Sequence, residues 1–359
     1  MPTTTPTSGS GAGSGAGRAP EKRDFLDMAD LSPSKLGRIL DLAAQLKRGE
    51  VKRKDALSRK VLAMVFLDPS LRTRTSFEVA MFLHGGHGVV LEPGRTSWAW
   101  ETQKGVVMDG STVEHIAEAA RVLGRYADAV ALRAFPRGGT WSDERQDRIL
   151  RDFAAYCEKP VINMESVRRH PCQGLADALT MRERLPSPRG RRCVLAWAYH
   201  PKPLPTAVPV SAAIAAASQG MALTIAHPPG YELDEDDMAT IRRVAHEAGG
   251  SVRVSPDLEH SLIGADVVYV KSWGALSHFG RTAEEAELRR PHRDWRMTEA
   301  RGQLLSRDGF VMHCLPVRRN VEIDDAVLDG PRSAVVDQAE NRLHVQRALL
   351  LDLIGDLSL

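Results

Sequence analysis

From Phe25 onward the apolar positions alternate between two spacings. Between Leu31 and Arg48 the residues Leu36, Ile39, Leu40, Leu42, Ala43 and Leu46 recur at helical intervals, which predicts an amphipathic helix. Val61–Leu67 is a short unbroken apolar run stopped by Asp68-Pro69, the pattern of a strand buried on both faces. A helix is expected from about Leu71 and a strand at Val89–Leu91. Ser111 and Glu114 have the spacing of a capping box, which predicts a helix through Leu123. Asp128–Arg133 and Pro160–Met164 read as further strands, with a helix over Asp143–Tyr156 between them.

The alternation restarts after Pro188-Arg189-Gly190. Strands are expected at Cys193–Tyr199, Ala222–Ala226, Val252–Val254, Val267–Val270, Phe310–His313 and Ala334–Val336. Helices fill the gaps, notably Val208–Gln219 and Asp236–Ala248, and Arg342–Ile354 follows the last strand. Strands that alternate with helices imply parallel sheets with right-handed crossovers. The fold class is therefore α/β, with two doubly wound parallel-sheet domains joined by a helix near Gly174–Leu185. The expected divisions are a disordered tail over 1–22, a first domain over 23–173 and a second over 174–339. A C-terminal helix over 340–359 is expected to pack back on the first domain.

Composition adds little beyond this. A chain of 359 residues suits two cores of roughly 150 residues each. The net charge is +2 with both signs interleaved, which argues against a dedicated nucleic-acid surface. Cys157, Cys172, Cys193 and Cys314 show no paired spacing, so neither a disulfide framework nor a structural zinc is expected. No apolar window is long enough for a membrane span, and the Gly/Ser/Thr/Pro-rich start lacks the apolar stretch of a secretory signal. A reduced, cytoplasmic protein follows as the expectation.

Chemistry is sought where strands end, because ligands of open α/β sheets bind beyond the carboxyl ends of the strands. The first strand delivers Ser70-Leu71-Arg72-Thr73-Arg74-Thr75 at a helix start. Free N–H groups, hydroxyls and two guanidinia converge there, a combination suited to phosphate. A capped helix with solvated arginines is the plainer alternative. The turn is not a P-loop, for it has no GxxxxGK[ST]. Later strands deliver Arg133 and Glu165, then His170-Pro171-Cys172-Gln173. Alone, each of these could be a surface ion pair or a cap. Together, His170 could donate to a carbonyl oxygen and Gln173 could bind an amide. The second half offers His200, Lys271, His313-Cys314-Leu315-Pro316 and Arg342. Cys314 reads as a buried structural thiol rather than a nucleophile. A dinucleotide-binding enzyme is disfavoured, since Gly85-Gly86 and Gly138-Gly139 supply no GxGxxG.

Ser70-Leu71-Arg72-Thr73-Arg74, His170-Pro171-Cys172-Gln173 and His313-Cys314-Leu315-Pro316, in that order, resemble the aspartate/ornithine carbamoyltransferase family. The resemblance implies a carbamoyl-phosphate domain followed by an amino-acid domain, and a homotrimer with sites shared between subunits. It implies no metal and no cofactor. By similarity, Ser70, Leu71, Arg72, Thr73, Arg133, His170, Gln173, Cys314, Leu315 and Arg342 bind carbamoyl phosphate, with Arg72, Thr73, Arg133 and His170 acting in catalysis. The second half departs from ordinary ornithine carbamoyltransferases. Val268–Gly274 and Trp197–Leu204 resemble the N-acylornithine branch, as do Trp98, Met108-Asp109-Gly110 and Glu340-Asn341-Arg342. That branch implies transfer to N-acetyl- or N-succinylornithine in arginine biosynthesis. It implies acceptor contacts from Val113, Glu165, His200, Lys271, Leu315 and Arg318, and a Trp98 that joins the carbamoyl-phosphate site of a neighbouring subunit. Val113 matches neither the Glu of the acetyl type nor the Pro of the succinyl type, and Glu322 stands where the acetyl type has Lys. Removing a Glu removes repulsion of a succinyl carboxylate, so the succinyl acceptor is slightly favoured.

Overall fold

The computed structural model describes residues 23–355, so the tail expected over 1–22 lies outside the described residues. Its strands, in chain order, are β1 (Val61–Phe66), β2 (His87–Leu91), β3 (Trp100–Glu101), β4 (Glu114–His115), β5 (Ala129–Arg133) and β6 (Val161–Glu165), then β7 (Arg192–Trp197), β8 (Ala222–Ala226), β9 (Ser251–Ser255), β10 (Val267–Lys271) and β11 (Phe310–Met312). Two larger parallel sheets result, ordered β2-β1-β5-β6 and β11-β10-β7-β8-β9, beside a two-stranded parallel pair of β3 and β4.

The unbroken apolar runs become strands covered on both faces. In β1, Leu62 and Met64 pack with Phe77 and Leu179 on one side, while Ala63 and Val65 pack with Ile116 and Phe153 on the other. In β7, Leu195 and Trp197 divide in the same way from Val194 and Ala196. The period of two along a strand makes this division. The Pro171–Arg184 helix is buried on all sides from Pro171 to Met181 and carries one continuous core between the sheets. Proline at its first turn is suited to a helix start. Charges also fasten the halves: Arg168 and Arg169 both pair with the fully buried Asp237, the latter at 2.6 Å. No helix among the described residues is long and apolar enough to cross a membrane.

Several elements differ from the expectations. Ser111 and Glu114 do not cap a helix. Glu114-His115 instead pairs with β3, the Glu114 carboxylate accepts from the Trp98 indole, and His115 caps the helix Ile116–Tyr126 through Ala117 N–H at 3.1 Å. Ala334–Val336 is not a strand. Ser333 makes only an isolated bridge to Val311, and Val335 opens a 20-residue helix to Ile354. Its packing against the helices Pro33–Arg48, Leu71–Leu83 and Pro171–Arg184 overrides the β-preference of two valines. The helix expected over Asp143–Tyr156 is broken into Trp141–Glu144 and Arg148–Tyr156. The break is at Asp147, whose φ is 52° and whose carboxylate accepts from the Ser166 hydroxyl at 2.6 Å. The expected divisions at 173/174 and 339/340 both fall inside helices.

Candidate active site

β1 turns through Asp68-Pro69 into the helix Leu71–Leu83. Ser70 is its N-cap, and the Ser70 oxygen accepts from Thr73 N–H at 3.3 Å, leaving the hydroxyl proton available to a ligand. Ser70, Leu71, Arg72 and Thr73 all border one cavity of about 660 Å³. Arg74 and Thr75, also read as part of the anion site, do not. Each helical residue rotates about 100°, so these two point elsewhere. Arg74 pairs with Glu78 at 3.6 Å, and the Thr75 hydroxyl donates to Leu71 O at 2.9 Å.

The ends of β5 and β6 supply Arg133 and Glu165, a buried ion pair. The Arg133 guanidinium lies 4.4 Å from the centre of the Phe135 ring. His170 sits 3.5 Å from the same Glu165 carboxylate. Burial, followed by the charges of Arg342, Arg133 and Arg72, holds the imidazole well below its ordinary pKa, so His170 is neutral at pH 7. Arg342 comes from the last helix, donating to Gln173 Oε1 at 2.9 Å and to Thr73 Oγ1 at 3.0 Å. Three buried polar atoms here, Arg133 Nε, Arg342 Nε and His170 Nδ1, have no hydrogen-bond partner. Buried polar atoms without partners are costly, which is expected where a ligand completes the network.

The facing wall comes from the second sheet. Lys271 ends β10, and His200 follows β7. Arg318 Nε donates to His200 Nε2 at 2.9 Å, so His200 carries its proton on Nδ1 and donates to Lys202 O at 2.8 Å. The His313–Pro316 turn holds Leu315 at a φ of 57° before a cis Leu315–Pro316 bond, with His313 Nδ1 accepting from Leu315 N–H at 2.9 Å. Burial pushes the Cys314 thiol up to about 11, which disfavours a thiolate nucleophile, but the residue is half-buried and borders the cavity instead of packing inside the core. Behind this wall, His313 and Lys271 overcome the upward push of burial and hold Glu322 at about 2.

These walls meet at two strand-order reversals, β1/β5 in one sheet and β7/β10 in the other. That is where open α/β sheets bind ligands. Arg72, Arg133, Arg342, Lys271 and Arg318 face the cavity against the single carboxylate of Glu165. The arrangement favours a ligand set of high negative charge and supplies donors to a carbonyl oxygen. Fourteen expected site residues line this cavity; Trp98 and Val113 lie outside it, exposed on the first domain. Pro69, Phe135, Leu204, Pro205 and Val208 line it without having been singled out. Phe135 had a signal, lying two residues beyond a strand end, and Leu204 ends the Trp197–Leu204 segment.

Comparison with known proteins agrees with this geometry. Residues 23–183 match the aspartate/ornithine carbamoyltransferase carbamoyl-P binding domain, and residues 205–353 match the Asp/Orn binding domain of the same family. An N-acetylornithine carbamoyltransferase of Xanthomonas campestris pv. campestris is 48% identical over 93% of this chain and 98% of its own. An N-succinylornithine carbamoyltransferase of Bacteroides thetaiotaomicron is 35% identical over 84% of this chain and 89% of its own. A crystal structure of acetylornithine transcarbamylase complexed with acetylcitrulline superposes with a TM-score of 0.89 at 47% identity, covering 93% of this chain and all of that one. With both domain models matched in order over one cationic cavity, the chain belongs to the aspartate/ornithine carbamoyltransferase family and is a carbamoyltransferase.

Proposed function

We propose that the chain transfers the carbamoyl group of carbamoyl phosphate to the δ-amine of an N-acylated L-ornithine, giving an N-acylcitrulline and phosphate in arginine biosynthesis. One observation carries the acceptor reading. The second-domain wall offers His200, Lys271 and Arg318 but no carboxylate to the cavity. A free α-ammonium would find no counter-ion there, whereas acylation removes that charge and leaves a carboxylate for Lys271 and Arg318.

Arg72, Arg133 and the start of the helix Leu71–Leu83 hold the phosphate. Arg342, the Thr73 hydroxyl and neutral His170 surround the carbonyl oxygen, and Gln173 receives the carbamoyl amide. The neutral δ-amine attacks the carbamoyl carbon, and charge gathers on the carbonyl oxygen, where these donors oppose it. Collapse breaks the carbon–oxygen bond to phosphate, whose charge the arginines already balance, and the leaving phosphate takes the proton that the attacking amine gives up. Glu165 keeps Arg133 and His170 in place and borders the acceptor.

Acetyl is the acyl group favoured by overall similarity, 48% against 35% identity. The succinyl reading rests on Val113, which offers no repulsion to a second carboxylate. A glutamate-to-valine variant of N-acetyl-L-ornithine transcarbamylase has been crystallised with N-succinyl-L-norvaline, so valine in such a framework is compatible with a succinyl group. Both Val113 and Trp98 belong to an exposed stretch of the first domain that also presents Val106, Val107 and Met108. We assign its covering to a second copy in a homotrimer, with Trp98 and Val113 reaching the neighbour's cavity. Light scattering on the purified chain tests the assembly, and a monomer would refute it. Citrulline formation with ornithine, N-acetylornithine and N-succinylornithine, assayed separately, tests the acceptor. Turnover of free ornithine alone would overturn the acylated reading.

A further inference from the structure

Asp177 lies in the middle of the buried Pro171–Arg184 helix, is fully buried and does not line the cavity. Its Oδ1 accepts from Gln173 Nε2 at 2.8 Å and from Gln338 Nε2 at 2.7 Å. Each amide then has its oxygen committed on the opposite side. Gln173 Oε1 faces Arg342, at 2.9 Å from Nη1, and Gln338 Oε1 accepts from His313 N–H at 2.9 Å. A glutamine amide is nearly symmetric in shape, and only its surroundings decide which end is the acceptor. The Asp177 oxygen that accepts from both amides makes that choice for each together with the donors at their far ends, Arg342 for Gln173 and His313 N–H for Gln338.

We infer that Asp177 is the positioning residue for carbamoyl recognition: it turns Gln173 so that its oxygen, not its NH2, faces the carbamoyl amide, and through Gln338 it seats the His313–Pro316 turn. The carbamoyl NH2 is a donor and needs an acceptor. With Asp177 gone, only the Arg342 contact still selects the end that Gln173 presents, and the selectivity for an amide over a group of the same shape falls. Burial pushes the Asp177 carboxyl up to about 7, against the two amide donors. In both of its protonation states one oxygen remains an acceptor, so the orientation holds on either side of neutrality.

This inference rests on the carbamoyl-phosphate pose proposed above, and the test separates the two. Acetyl phosphate carries a methyl where carbamoyl phosphate carries NH2. In Asp177→Leu, carbamoyl phosphate binding should weaken about 10–100-fold while acetyl phosphate, read as a competitive inhibitor, stays within about twofold of wild type. Asp177→Asn keeps an acceptor oxygen and should restore most of the selectivity. Equal weakening of both phosphates, or weakening of neither, overturns the role of Asp177. A Gln173→Ala variant that binds carbamoyl phosphate like wild type overturns the pose, and the inference with it. If the leucine variant is recovered unfolded, Asp177→Ser carries the same comparison, being polar but too short to reach both amides.

Discussion

The two walls of the cavity are built differently. On the first-domain side several side chains are tied to one another before any ligand arrives, Arg133 to Glu165, Arg342 to Thr73 and Gln173, Ser70 to the helix it caps, although Arg133 Nε, Arg342 Nε and His170 Nδ1 are left without partners. On the second-domain side His200 and Arg318 bond to each other, and the Lys271 ammonium makes no hydrogen bond or ion pair among the described residues. A network held in one arrangement suits a donor substrate that never changes. A wall of looser cations suits an acceptor recognised chiefly by its charge. On the proposed reading, specificity for the acyl group is set elsewhere, in the exposed stretch around Val113.

The difference can be broken first at its rigid side. Arg133→Ala strands the buried Glu165 and removes a phosphate contact, so kcat/KM for carbamoyl phosphate should fall about 1000-fold, with the fold retained by circular dichroism. Steady-state kinetics that match wild type would remove Arg133 from the mechanism. On the looser side, Lys271→Met should raise KM for the acylated ornithine about 10–100-fold and leave KM for carbamoyl phosphate nearly unchanged. An equal rise in both constants would show that the walls are not independent. Val113→Glu should lower the succinyl-to-acetyl rate ratio roughly tenfold through like-charge repulsion. No change in that ratio would sever Val113 from the acyl site.

The last effect is on stability. His84 Nε2 accepts from Arg347 at 3.1 Å, and its Nδ1 donates to Arg53 O at 2.6 Å, so the ring is held neutral. Burial, and after it the Arg347 charge, depress its folded pKa below 6.5. As pH falls through about 6.5, the unfolded chain takes up the proton first, so stability declines until the lower folded value is passed. Urea unfolding at pH 7.5 and 5.5 should show this decline, and His84→Gln should reduce it, the remainder belonging to His170, His313 and the other imidazoles that burial depresses.

Most of the fold and much of the cavity were legible in the sequence, for one physical reason. Strand ends in a parallel sheet follow directly from apolar runs, so Arg133, Glu165, His200 and Lys271 are found by reading what comes next. Residues that depend on rotation or distant packing were not legible. Arg74 shares a motif with Arg72 yet faces Glu78, because two helical steps turn it away. Glu114 has the spacing of a cap but is taken by the Trp98 indole. Asp177 and Glu322 lie behind the cavity wall, where neither periodicity nor spacing marks them, and Glu322 entered the reading only through the family resemblance.

Arg342 reaches Thr73 across 269 positions of chain. The helix that delivers it is the last element of the described fold, and the first-domain wall is short of one cation until that helix has docked. During synthesis the first sheet and its phosphate turn emerge early, yet an interrupted chain lacking residues 335–354 would hold the donor site only in part. On the proposed reading, the grip on the donor is therefore complete only once residues 335–354 have been made and docked.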